Sequence, residues 1–138
     1  MVLDFEPKNI ADIELKLRAT TACENINRLS ILYLLKKSTK NEMKAEDISS
    51  ILGVSHRTAL YHLTILKDYE LVEVRKFTRR GFRLFRSVWG LRNDESMDQI
   101  FDIIHKKYGI EGLHRLVKNN IEARKSNSRK KPKAYIIC

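Results

Sequence analysis

The stretch that decides the fold is AEDISSILGVSHRTALYHLTILKDYELVEV, at residues 45–74. Apolar residues at helical spacing predict a short helix over 45–52, which Gly53 ends because glycine readily takes the left-handed conformation. Ser55 is a good N-cap for a second helix over 56–69, whose inward side is given by Ala59, Leu63 and Leu66. Two short helices joined by a tight turn are the layout of a helix-turn-helix.

A β-hairpin is predicted directly after this pair of helices. Residues 71–75 alternate and are rich in β-branched side chains, residues 79–81 suit a turn, and residues 82–89 resume an extended pattern. A hairpin with a basic tip in this place is a wing. The predicted fold class is therefore mainly α with a small β-hairpin wing, a winged helix-turn-helix, with additional helices at both ends.

Helical patterns flank this unit on both sides. Helices are expected over about 9–20 and 23–37 before it, and Asn93-Asp94-Glu95 has the capping and charge pattern of a new helix start after it. Gly109 and Gly112 are expected to interrupt before a last helix that ends near Arg124. The predicted division is a DNA-binding unit with an N-terminal helix (1–92), C-terminal helices for dimerisation (93–124) and a basic tail (125–138).

The positive charge is concentrated in two blocks. The net charge is +10, with eight basic and three acidic residues in 55–90 and six basic and no acidic residues in 124–138. A polyanion-binding surface needs such clustering, although a solvated basic surface that keeps the protein soluble would give the same total. Two cysteines, no long apolar run and an acidic start without a signal-peptide pattern favour a cytoplasmic protein.

The sequence resembles the ArsR-type winged helix-turn-helix regulators over about residues 25–90. The resemblance is carried by Asp47–Ser55, by Thr58–Lys67 and Leu71-Val72, and by Asn27–Leu32 as a first core helix. It implies a homodimeric DNA-binding repressor or activator whose terminal helices form the interface. It also suggests an archaeal member, and a narrower similarity to the euryarchaeal regulators of archaellum genes is a further hypothesis.

Two departures from that family pattern matter. Metal-sensing relatives place cysteines before the turn, whereas residues 42–48 of this chain contain none, which puts metal sensing at that position in doubt. Relatives also usually have Gly where this chain has Glu70. Since Gly eases a left-handed turn, the corner before Leu71 is expected to be built differently.

The candidate DNA contacts lie on the second helix and on the wing. The N-terminal residues of a recognition helix face the major groove, and arginine, tyrosine, threonine and leucine there suit guanine edges, phosphates or thymine methyls. The wing carries more arginine than strand stability needs, which favours phosphate or minor-groove contact. The predicted contacts are His56, Arg57, Thr58, Leu60, Tyr61, Thr64, Arg75, Lys76, Arg79, Arg80 and Arg83. Leu60 would suit core or plain surface as well. His62 is expected to be a packed, hydrogen-bonded histidine.

Apolar faces outside the winged helix pose a separate question. A core of about 65 residues covers only some of them, and a two-fold dimer interface would use the rest. The residues predicted for dimerisation are Ile10, Ile13, Leu17, Met97, Phe101, Ile104, Leu113 and Val117. Packing within the chain is the alternative. The basic tail, in particular Arg129, Lys130, Lys131 and Lys133, would add sequence-independent DNA affinity or only solubility.

The predicted function is that of a sequence-specific double-stranded DNA-binding transcription regulator acting as a homodimer. The alternatives are a winged-helix interaction module in a transcription complex and an RNA-binding winged helix. No catalytic constellation or phosphate-binding glycine loop is present in the sequence, so an enzyme, a cofactor and a metal site are not expected. A small-molecule or metal effector is not expected either, although the sequence leaves that open.

Overall fold

The described part of the chain forms six α-helices and a three-stranded sheet. The computed structural model describes residues 10–80 and 83–130, and at 11, 78–80, 83–86 and 125–130 it describes the backbone alone. The elements are α1 (Ile10–Cys23), α2 (Ile26–Lys37), a 3-10 turn (Thr39–Asn41), β1 (Glu42–Lys44), α3 (Ala45–Leu52), α4 (His56–Asp68), β2 (Val72–Arg80), β3 (Arg83–Leu91), α5 (Glu95–Tyr108) and α6 (Ile110–Lys130). The predicted class, a mainly α winged helix-turn-helix with a β-hairpin wing, is confirmed.

Local chemistry fixes where the helices begin and end. Ser55 Oγ accepts a hydrogen bond from the Thr58 N–H at 3.0 Å, and Asp94 Oδ1 accepts one from the Met97 N–H at 3.2 Å. Each bond satisfies a backbone donor that the first turn of a helix leaves unpaired. Gly53 takes a φ of +69° after α3, so the turn between α3 and α4 is formed as the sequence predicts.

The sheet has one strand more than the sequence analysis predicts. Its order is β1-β3-β2, antiparallel throughout, with Met43 opposite Trp89 and Trp89 opposite Val74. Because β1 has only three residues, it shows no alternation long enough to be recognised in the sequence. It makes β3 the central strand and ties the wing to the start of α3.

The apolar faces of α5 and α6 pack inside the chain. Five of the residues predicted for dimerisation have at most 6% of their surface exposed and belong to the same core cluster as Leu63 of α4. They are Met97, Phe101, Ile104, Leu113 and Val117. A side chain buried in this way has no surface left for a second copy, so the prediction that these five form a dimer interface is wrong and the alternative of packing within the chain applies to them. The same core joins the predicted units 1–92 and 93–124.

The last helix differs from its predicted bounds. Gly109, with a φ of +76°, separates α5 from α6, whereas Gly112 lies inside α6 and interrupts nothing. The helix continues past Arg124 to Lys130, six residues into the segment expected to be a tail. Residues 131–138 of that tail lie outside the described residues.

Candidate nucleic-acid interface

Helix α4 presents a polar face on the side opposite the core. Ala59, Leu63 and Leu66 are fully buried, while Arg57, Tyr61 and Thr64 are exposed, Tyr61 by 61%. These three residues recur at spacings of four and three, so they share one face of the helix. A guanidinium, a phenol and a hydroxyl on one face offer hydrogen-bond donors and acceptors that suit base edges and phosphates.

The remaining candidates on α4 have different surroundings. His56 is exposed in the first turn. Thr58 is half-buried, and its Oγ1 accepts a hydrogen bond from Ser55 Oγ at 2.9 Å, so the hydroxyl already has a partner in the cap. Leu60 is half-buried and packs against the core, which answers the question left open by its sequence position.

The wing offers an exposed surface on β2. Lys76 and Phe77 are exposed, Phe77 by 54%, although the sequence analysis does not single out the phenylalanine. The backbones of Arg79, Arg80 and Arg83 form the end of the hairpin, where Arg80 lies opposite Arg83. Their side chains lie outside the described residues, so their predicted DNA contacts stay predictions.

Arg75 is committed to contacts within the chain. Its Nε donates to Glu73 at 3.3 Å, its Nη1 to Glu42 at 3.1 Å and to the Lys40 carbonyl at 2.6 Å, and its Nη2 to the Leu91 carbonyl at 2.7 Å. These bonds engage each nitrogen of the guanidinium. The prediction of Arg75 as a DNA contact is therefore wrong, because the side chain fastens the base of the wing to the segment before β1.

A bulge and a glycine make that fastening possible. The register of β2 against β3 shifts between Val74 and Lys76, which leaves Arg75 as the extra residue of a β-bulge. A Cβ added at Gly90 would overlap the Arg75 guanidinium. Gly90 is thus the place where the side chain crosses the central strand.

Arg18 of α1 holds the corner between α4 and β2. Its Nε donates to the Tyr69 carbonyl at 2.9 Å, its Nη2 to the Glu70 carbonyl at 2.6 Å, and its Nη1 to Ser96 Oγ at 3.0 Å. Glu70 has a φ of +60°, the left-handed conformation that a glycine would adopt more readily. The corner expected to be built differently thus keeps this conformation with a glutamate, and an arginine distant in sequence binds its carbonyls.

A cluster of polar side chains packs behind the recognition helix. Arg124 Nη2 of α6 donates to Asn27 Oδ1 of α2 at 3.0 Å, and the Asn120 amide donates to the same oxygen at 3.1 Å. His62 of α4 is 6% exposed, and the cluster contains two buried nitrogens without a hydrogen-bond partner, His62 Nδ1 and Arg124 Nε. Burial lowers the pKa of His62, and the charges of Arg28 and Arg124 lower it further. His62 is packed as expected, but its Nδ1 lacks the hydrogen bond that the prediction included.

The described residues contain no group of three metal-ligating side chains. Cys23 is half-buried at the end of α1, and burial raises the pKa of its thiol, whereas Lys107 and a hydrogen bond with Tyr108 act in the opposite direction. A thiol with a raised pKa is a poor nucleophile and a poor metal ligand at neutral pH. No helix of the described residues is long and apolar enough to cross a membrane.

Comparison with known proteins shows similarity to one class, regulatory proteins. Residues 26–74 match the family model of bacterial regulatory proteins of the arsR family. The match begins with α2, covers the helix-turn-helix and ends in β2. No curated protein matches the whole sequence significantly.

Solved structures agree with that match. A possible transcriptional regulatory protein (fragment 1–100) from Mycobacterium bovis is 26% identical over 71% of this chain and 96% of its own, with a TM-score of 0.54. HlyU from Vibrio cholerae N16961 is 28% identical over 75% of this chain and 98% of its own, with a TM-score of 0.51. The homodimeric winged helix-turn-helix DNA-binding domain Mb0332 from M. bovis, 24% identical over 78% of this chain and 93% of its own, shares the fold with a TM-score of 0.52. Over residues 26–74 the chain is therefore similar to the arsR-family regulatory proteins, and it has the winged helix-turn-helix fold.

Proposed function

We propose that the protein is a sequence-specific double-stranded DNA-binding transcription regulator that acts as a homodimer. The observation that carries the proposal is the exposed face of α4, where Arg57, Tyr61 and Thr64 stand clear of the core on the second helix of the motif. Within the described part of the chain, the Tyr61 ring contacts His62, but no side-chain hydrogen bond or ion pair engages Arg57, Tyr61 or Thr64. A ligand that offers both base edges and phosphates would satisfy all three.

In this proposal α4 reads the sequence and the wing supplies affinity. Arg57 lies in the first turn, which a recognition helix places deepest in the major groove, and its guanidinium fits the O6 and N7 acceptors of a guanine. Lys76 and the arginines of the hairpin end would neutralise backbone phosphates without reading bases. Arg75 is excluded from this set because its donors are already used.

The second copy would lie on α1. Ile10, Ile13 and Leu17 are 73%, 50% and 54% exposed, and their spacing of three and four places them along one stripe of the helix. The opposite side of α1 holds Ala19 and Ala22 in the core. A second copy related by a two-fold axis beside this stripe would cover it. The same symmetry would place the two recognition helices at two DNA half-sites. The archaeal origin and the archaellum-gene similarity stay predictions.

The first test is binding of Arg57→Ala to duplex DNA, with Lys106→Ala of α5 as a control that removes one exposed positive charge away from α4. An operator is first selected from random duplexes with the unchanged protein. Loss of a bidentate arginine–guanine contact costs about 1–3 kcal/mol, so we expect binding to the operator to weaken by about 5- to 150-fold. Binding to unrelated duplexes should change much less, and Lys106→Ala should bind both like the unchanged protein.

Equal weakening on all duplexes would show that Arg57 holds a phosphate and would contradict its role in reading sequence. No selectable duplex at all, with preference for single-stranded RNA, would overturn the proposed function. The affinities for the operator and for unrelated duplexes are measured by gel-shift titration at one fixed salt concentration, because phosphate contacts make affinity strongly salt-dependent.

A further inference from the structure

A groove of about 660 Å³ opens where α2, α5 and α6 meet. Its base is formed by Tyr33, Phe101 and Leu113, of which Phe101 and Leu113 are almost fully buried. A volume of this size is typical of small-molecule sites, and aromatic and aliphatic side chains usually line such sites. The groove uses neither the exposed face of α4 nor the wing.

Positive charge predominates around this apolar base. Four lysine and arginine side chains line the groove against two carboxylates, with two histidines between them. The cations are Lys36, Lys37, Arg115 and Lys118, the carboxylates are Glu111 and Glu122, and the histidines are His105 and His114. The electrostatic preference is therefore for an anion.

Two of the cations lie against the aromatic base. Lys36 Nζ is 5.2 Å from the centroid of the Phe101 ring, and Lys37 Nζ is 5.6 Å from that of Tyr33. Within the part of the chain that the structure describes, neither ammonium pairs with a carboxylate. Each is held by a ring face, a contact worth only about 0.5–1 kcal/mol at an exposed site. A charged oxygen entering the groove would be a stronger partner for both.

His114 is positioned on the same surface by α2. Its Nδ1 is hydrogen-bonded to the Tyr33 hydroxyl, and the two rings are 5.8 Å apart. This bond fixes one ring nitrogen and the orientation of the imidazole. The other nitrogen and the exposed Lys118, one turn further along α6, remain as polar groups beside the apolar base.

We propose that this groove binds a small amphipathic organic anion, with an aromatic or aliphatic body against Tyr33 and the exposed Ile110 and a carboxylate or sulfonate between Lys36 and Lys37. The charge argues against a second copy of the same groove, since like charges would face each other. A small-molecule ligand is not expected from the sequence. The residues of the groove come from three helices, so only the fold brings them together.

The test uses 8-anilinonaphthalene-1-sulfonate as the probe and N-phenyl-1-naphthylamine as its uncharged counterpart with the same rings. Fluorescence titration and calorimetry are done without DNA, so the result does not depend on the proposed function. The variant is Lys36→Ala/Lys37→Ala, and the matched control is Lys67→Ala/Lys106→Ala, which also removes two exposed charges. Circular dichroism must show the same fold in all three proteins.

We expect saturable binding of one probe per chain to the unchanged protein and to the control. Removal of two exposed charge contacts should weaken sulfonate binding about tenfold and leave the uncharged amine unaffected. Equal sulfonate affinity in both double variants would overturn the proposal, as would non-saturable binding. A change of oligomeric state in Lys36→Ala/Lys37→Ala alone would also overturn it, because the groove would then be an interface between chains.

Discussion

At the scale of single residues, two arginines have more effect on this fold than their place in the sequence suggests. Arg18 and Arg75 both donate to backbone carbonyls far away in the chain, at Tyr69 and Glu70 in one case and at Lys40 and Leu91 in the other. Bonds of this kind satisfy carbonyls at places where the regular structure ends. The corner after α4 and the base of the wing are therefore held by side chains.

We expect Arg75→Ala to destabilise the protein by about 2 kcal/mol, because it removes hydrogen bonds to two carbonyls and leaves the carboxylates of Glu42 and Glu73 without their partner. The neighbouring Lys76→Ala should change the free energy of unfolding by less than about 0.5 kcal/mol, since that side chain is exposed. Urea unfolding monitored by circular dichroism measures both values. Unchanged stability together with weaker DNA binding in Arg75→Ala would restore the original prediction of a DNA contact.

His62 gives the stability a pH dependence that can be worked out. Its folded pKa lies below its usual value of about 6.5, so between those two values the unfolded chain holds a proton that the folded chain lacks. The free energy of unfolding should therefore have its full value above about pH 6.5 and decrease as the pH drops toward the folded pKa of His62. One proton limits this slope to about 1.4 kcal/mol per pH unit.

Urea unfolding at a series of pH values between 5 and 8 measures that slope. His62→Gln, which cannot take up a proton, should show a flatter profile over this interval, while His105→Gln on α5 serves as a matched control. An identical profile for His62→Gln and the unchanged protein would contradict the assignment. The carboxyl of Asp94 does not interfere, because its pKa is lowered mainly by the Ser96 hydroxyl and it titrates at more acidic pH.

At the scale of elements, what the sequence could predict depended on whether the cause was local. The ends of α3 and α4 follow from Gly53, Ser55 and the apolar spacing around them, and all of these lie within a few residues. Strand β1 was missed because three residues carry no readable pattern and the partner strand begins some forty residues later. Its existence depends on pairing with β3, which sequence alone does not reveal.

The parts of the candidate site that depend on local spacing could likewise be predicted from the sequence. The spacing of Arg57, Tyr61 and Thr64 determines their common face as soon as the helix is recognised. The apolar stripes of α5 and α6 were also correctly recognised as stripes, but periodicity does not say whether the chain itself or a second copy covers them. The prediction of Arg75 as a DNA contact is wrong because the number of arginines in the wing suggests one shared role for all of them. The carbonyls that accept hydrogen bonds from Arg75 belong to Lys40 and Leu91, and sequence alone does not place them beside it.

At the scale of the whole molecule, the exposed stripe on α1 determines the expected assembly. Leu17→Lys should weaken the dimer at least about tenfold, because it places a charge in the apolar stripe that the second copy would cover. Sedimentation equilibrium over a range of concentrations measures the dissociation constant. Ile110→Lys, which changes an exposed isoleucine at the start of α6, is the control and should leave the dimer unchanged.

If both variants sediment like the unchanged protein, α1 is not the interface. If the unchanged protein is a monomer at all accessible concentrations, the homodimer itself is contradicted. The DNA-binding test stays informative in either case, because it compares Arg57→Ala with the unchanged protein in the same oligomeric state.

The packing of α6 on the helix-turn-helix affects the order in which contacts form while the protein is synthesised. A Cβ at Gly53 would lie 3.2 Å from Cβ of Arg124, so the turn between α3 and α4 contacts a residue that follows it by about seventy positions. Domains synthesised from the N-terminus emerge from the ribosome in that order. The helix-turn-helix therefore leaves the ribosome before α6 does, and α3 gains its packing against α6 only when nearly the whole described chain has been translated.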